Sequence, residues 1–233
     1  MKLKHLLYAT IASLVFAQAV SAENSAVVVE LYTSQGCASC PPADEIMNVL
    51  SERDDVIALS LHVDYWDYIG WKDEFADPKN ADRQRAYANV AGRRSIYTPE
   101  MVINGVTDIV GARPMAVATA IERHKAEQST VSVKLKKNAK KIEISADPLV
   151  AGLGDMDVIV LRYQKERAAR ITRGENAGKT ITYSNVTQDW QHLTTWDGRK
   201  TLNVEVDAAG DVPFVVLVQA KNHGPILGAA QLR

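Results

Sequence analysis

The chain has 233 residues, 46% apolar and 24% charged, with two cysteines and a net charge of −1. That length can bury one large core or two modest ones, and the composition excludes disorder and coiled coil. Two cysteines are too few for a disulfide scaffold, the charge leaves no footprint for nucleic acid, and no apolar run reaches the roughly 18 residues of a membrane span.

The first residues read as a leader. Lys2 and Lys4 precede a short apolar stretch from Leu6 to Ala17, and small residues end it at Val20-Ser21-Ala22. This is the pattern of a cleaved secretory signal over 1–22. It places the remaining chain in the periplasm or outside the cell, where disulfides persist. The charge beyond it is uneven. Residues 23–128 hold 10 basic and 17 acidic side chains, and residues 129–233 hold 15 and 11. Two modules are expected, 23–128 and 129–233.

Ala26 to Tyr32 and Val56 to Val63 are nearly continuous apolar runs rich in Val, Leu and Ile. Such runs fit parallel strands buried on both faces. Ala43 to Leu50 between them has helical spacing, so residues 26–63 form a βαβ unit. Ala81 to Ala91 reads as a second helix. Asn104-Gly105 joins two short apolar runs and is a strong hairpin signal. Pro114 opens a third helix. The order β-α-β-α-β-β-α is the thioredoxin order. From Val131 onward the pattern alternates, and about seven short strands over 129–233 argue for an antiparallel β-sandwich-like domain.

Cys37-Ala38-Ser39-Cys40 stands between the first strand and the first helix. Free N–H groups and the positive dipole end of a helix favour a thiolate there, so Cys37 reads as the nucleophile and Cys40 as the resolving thiol. Two other readings stand beside this one. A structural bridge over so short a loop contributes only about 2 kcal/mol. A metal site lacks the usual four zinc ligands, but copper(I) tolerates fewer thiolates and could be held by Cys37, Cys40 and His62. No organic cofactor is implied, because no Gly-rich phosphate loop is present.

Further residues gather around the pair. Thr98-Pro99 precedes the third strand and resembles the cis-proline loop of the thioredoxin superfamily, which holds a partner chain beside the active cysteines. Glu30 resembles the buried acid that precedes the cysteines in periplasmic dithiol oxidases, where it shuttles a proton; here the intervening loop is one residue longer. His62, Asp64 and Trp66 follow the second parallel strand, at the sheet edge where ligands collect. They read as a partner groove, or as a cover that docks the second module.

Val29 to Asp44, the His62–Trp71 segment, Thr98-Pro99, Arg173 to Asn176 and the Gly224–Ala229 run together resemble a family of secreted bacterial proteins, domain of unknown function 1223. The resemblance implies a thioredoxin-like domain with an appended β-rich region, and no substrate. The function expected is periplasmic thiol–disulfide exchange with protein thiols or disulfides. The alternative is a non-catalytic module that binds copper(I) or a protein.

Overall fold

A computed structural model describes residues 26–138, 140–208 and 210–233. The expected leader at 1–22 lies outside them. The first half contains β1 (Val27–Thr33), α1 (Pro41–Leu50), β2 (Val56–His62), α2 (Pro78–Val90), β3 (Glu100–Ile103), β4 (Thr107–Val110) and α3 (Pro114–Ala126). β1 and β2 pair in parallel, and β3 runs antiparallel to β1 on its other side. Every residue of β1 and β2 is buried, as their unbroken apolar sequences require. Prolines open all three helices, where a missing N–H costs least, and the Asp77 carboxylate caps α2 through the Lys79 amide. Asn104 and Gly105 both take positive φ (48° and 70°), conformations their residue types favour, in the three-residue connection between Ile103 and Thr107.

The side chains of β1 alternate between two cores. Val27, Val29 and Leu31 pack with Ala43 and Met47 of α1 and with Val117 and Ile121 of α3. Val28 and Tyr32 pack on the other face with Ala81 and Tyr87 of α2. The sheet is therefore covered by α1 and α3 on one side and by α2 on the other.

The second half contains β5 (Val131–Lys137), β6 (Lys141–Pro148), β7 (Met156–Arg170), β8 (Thr180–Trp196), β9 (Leu202–Asp207), β10 (Phe214–Ala220) and β11 (Ile226–Leu232). Here the architecture departs from a free-standing sandwich. Four of these strands extend the first sheet, giving the order β11-β10-β7-β8-β2-β1-β3-β4, and the other three form a second sheet, β5-β6-β9. Val131, Ile142 and Ile144 of the small sheet pack on Val158, Val160, Phe214 and Val216 of the large one. A β-sandwich does form, but one of its layers is the continuation of the α/β sheet.

The joint between the halves is made largely by side chains. β2 and β8 share one ladder position, Ser60 with Val186. Around it Ser60 donates to the Ser184 carbonyl, Asn185 donates to the Ala58 carbonyl and Thr187 donates to the Ser60 carbonyl. Asn185 holds a positive φ of 50°, which displaces its backbone from the ladder and lets the amide side chain substitute for it. Among the described residues, no helix is long and apolar enough to cross a membrane.

Candidate disulfide site

The turn from Thr33 to α1 carries the cysteines, and they form a disulfide, with Cα atoms 5.4 Å apart. Cys40 is the N-cap of α1, and Pro41 and Pro42 occupy the first turn. The amides of Ala43 and Asp44 both donate to the Cys40 carbonyl. Cys37 is 1% exposed and Cys40 is fully buried, while Ala38 and Ser39 between them face solvent. Cys37, expected as the nucleophile, is thus covered in the disulfide form.

Two segments form that cover. Trp66 sits over Gly36, where an added Cβ would lie 3.2 Å from the Trp66 Cβ. The Trp66 indole donates to Thr98 Oγ1 at 2.7 Å, and the Trp71 indole donates to Gln35 Oε1 at 2.7 Å. The aromatic segment thus bridges the cysteine turn and the Thr98-Pro99 loop. The second segment is the 172–178 loop. Asn176, fully buried, donates from Nδ2 to the carbonyls of Gln35 and Cys37, each at 2.9 Å. Gly174 packs against Trp71. Asn176 was visible in the sequence only as part of an unexplained polar run.

The Thr98-Pro99 bond is cis, as its likeness to the superfamily loop implied. Pro99 and Ala43 both pack around Gly111, whose Cβ position lies 3.1 Å and 3.2 Å from their Cβ atoms. The loop therefore flanks the first turn of α1. Asp64 is half-buried beside Trp66. Arg93, next to the loop, is committed to the buried Glu100 carboxylate, so it does not lend free positive charge to the cysteines.

The titratable residues divide between the two faces of the sheet. Glu30 was expected to shuttle a proton to the inner cysteine. Its side chain instead lies on the α2 face. It accepts from Arg83 Nε at 2.7 Å and from the Tyr87 hydroxyl at 2.7 Å. Arg83 in turn bonds Gln219 and lies over the Trp190 and Tyr87 rings. Alternation explains the placement. Val29 and Leu31 face α1, so Glu30 between them cannot.

On the α1 face the buried acid is Asp44. Its Oδ1 accepts from the Thr33 hydroxyl at 2.8 Å, and its Oδ2 is buried without a partner. Burial pushes its carboxyl well above the ordinary range, Asp73 and Glu45 push the same way, and the Thr33 bond opposes them. His62, expected in a partner groove, is fully buried. Its Nδ1 pairs with Asp73 Oδ2 at 2.7 Å, an oxygen that also accepts from the Gln35 amide. The carboxylate needs a donor, so Nδ1 carries the proton. His62 stands edge-on to Tyr183, with ring centroids 4.6 Å apart. The Tyr183 hydroxyl and His62 Nε2 are both buried without partners. Burial, with Asp44 and Asp73 nearby, raises the Tyr183 hydroxyl above its ordinary range. Among the described residues, no three His, Cys, Asp or Glu side chains are grouped to hold a metal ion.

The class is thus a mixed α/β protein with a disulfide of the Cys-x-x-Cys type at a helix N-terminus. The chain belongs to the protein family of unknown function DUF1223, whose model matches residues 28–219. It is similar to the crystal structure of protein AGR_C_4864 from Agrobacterium tumefaciens, at 34% identity and a TM-score of 0.77, over 88% of this chain and 93% of that one. HBP35 of Porphyromonas gingivalis resembles it in fold, at 18% identity and a TM-score of 0.58, over 90% of this chain and 75% of that one. No curated protein matches the chain.

Proposed function

We propose that the chain is a thioredoxin-like thiol–disulfide oxidoreductase that acts outside the cytoplasm on protein partners. The observation that carries the reading is the disulfide closed across the N-cap of α1, with Thr98-Pro99 packed beside the same helical turn. The strand order β2-β1-β3-β4, with helices on both faces, supports the thioredoxin-like part. Cys37 Sγ is the atom a partner thiolate attacks, or the thiolate that attacks a partner disulfide. Cys40 resolves the mixed disulfide. Thr98 and Pro99 hold the partner chain once Trp66 moves off the loop. The expected leader accounts for an oxidising compartment.

One observation favours a second reading. Both cysteines are buried, as suits an inert closure of the turn. Cys40→Ser separates the two. An exchange protein accumulates mixed disulfides through Cys37 when the variant is expressed with its leader, and thiol reagents release the partners. A variant that traps nothing leaves the inert bridge as the better account.

A further inference from the structure

A buried thiol that must become a thiolate needs a buried base. Cys40 is fully buried, so its proton has no direct route to bulk water. Asp44 stands one helical turn further on; its amide donates to the Cys40 carbonyl at 3.1 Å. Residues four apart share a helix face, and both side chains are buried. The Asp44 carboxylate has one oxygen fixed by Thr33 and the other unpartnered. An unpaired buried carboxylate oxygen is costly, and it is the feature a proton acceptor requires. Glu30, whose carboxylate is fixed by Arg83 and Tyr87 on the far face, offers none.

We propose that Asp44 is the catalytic acid–base group that exchanges the proton of Cys40, an inference that rests on the exchange reading above. In the mixed disulfide, Cys37 Sγ is bonded to the partner sulfur. The Cys40 thiol passes its proton to the Asp44 carboxylate. The resulting thiolate bonds Cys37 Sγ, and the partner sulfur leaves with the electron pair of the broken bond. The cysteine pair is thereby oxidised and the partner reduced. In reverse, an incoming thiolate takes Cys37, Cys40 leaves as thiolate, and the Asp44 carboxylic acid protonates it. The groups around Asp44 govern its charge. These are Thr33 from β1, Glu45 on its own helix, Asp73 paired with His62 at the end of β2, and Tyr183 from β8. Two carboxylates and burial favour the acid form, and the Thr33 hydroxyl favours the carboxylate.

The test is the reaction of the reduced chain with 5,5′-dithiobis(2-nitrobenzoate), which releases one thionitrobenzoate when Cys37 attacks and a second when Cys40 resolves. In Asp44→Asn the first release keeps its parent rate. The second slows by about a hundredfold near neutral pH, the lower end for loss of a positioned proton acceptor, and recovers as pH rises. Asn keeps the oxygen that accepts from Thr33, so the fold is retained. Thr33→Val is the independent check. Losing the hydroxyl raises the Asp44 carboxyl further, and the pH at which the second release switches on moves up. A second release unchanged in rate and pH profile in both variants overturns the role of Asp44. A parent chain in which Cys37 never releases the first thionitrobenzoate overturns the exchange reading itself.

Discussion

Arg83→Met removes the cation beside Glu30, together with the guanidinium that lies over Trp190, and keeps an apolar stem of similar length. Arg83 makes four hydrogen bonds, two to Glu30 (2.7 and 3.3 Å), one to Gln219 (3.1 Å) and one to the Tyr87 hydroxyl (2.6 Å). Tyr87 still donates to Glu30, while the Gln219 Oε1 loses its donor, the smaller loss of a neutral acceptor. What remains is a buried carboxylate without its cation. Breaking one side of such a pair costs about 3–5 kcal/mol. That is a large share of a domain's 5–15 kcal/mol or so, and it lowers the urea midpoint by about 1–2 M at a slope of about 3 kcal/mol per M. Urea unfolding of the oxidised chain at neutral pH measures it. Glu30→Gln in the same chain removes the stranded charge and recovers most of the loss. A loss under about 1 kcal/mol in Arg83→Met, the size of an exposed pair, refutes the claim that Glu30 and Arg83 are a structural unit.

Asn176→Ala strips two donors from the carbonyls of Gln35 and Cys37; a loss of about 1–3 kcal/mol is expected, together with faster reduction of the disulfide by dithiothreitol. Asp44 titrates higher in the fold than in the unfolded chain. The stability it contributes is therefore full below the unfolded value and declines as pH rises toward the folded one, by about 1.4 kcal/mol per pH unit. Asp44→Asn should accordingly gain on the parent with rising pH in urea melts, and parallel pH profiles would contradict the raised carboxyl. At Gly228 an added Cβ would meet the Val131 carbonyl oxygen at 2.6 Å. Gly228→Ala should cost about 1–3 kcal/mol by thermal melting, and an unchanged midpoint would show that β11 and β5 can separate freely.

The elements of the first half were legible because local chemistry and tertiary burial agree there. Val-rich runs, prolines at helix starts and Asn104-Gly105 all point to the structures that form. The second half misled through β7 and β8. Gln164 to Arg170 and Gln188 to Thr195 are mostly polar, so they do not read as strand, yet β7 and β8 pair along most of their length. Their joining to β2 depends on Ser60, Asn185 and Thr187, side chains that look like turn formers in sequence. The same limit applies at the site. The cysteines and Thr98-Pro99 were found by type and spacing. Which buried acid lies on the α1 side of the sheet depends on which face of β1 that helix packs against, and one residue's alternation moves Glu30 to the opposite core. Asp73 and Tyr183 carry no local pattern that marks them, and Asn176 stood out only within the Arg173 to Asn176 segment, with no chemistry attached to it.

The reduction potential of the Cys37–Cys40 pair, measured by equilibration of the full chain with glutathione buffers, tests the central claim most directly. Exchange with protein partners predicts a value above about −300 mV, within reach of a physiological thiol pool. A value below about −300 mV, where structural bridges resist that pool, contradicts it.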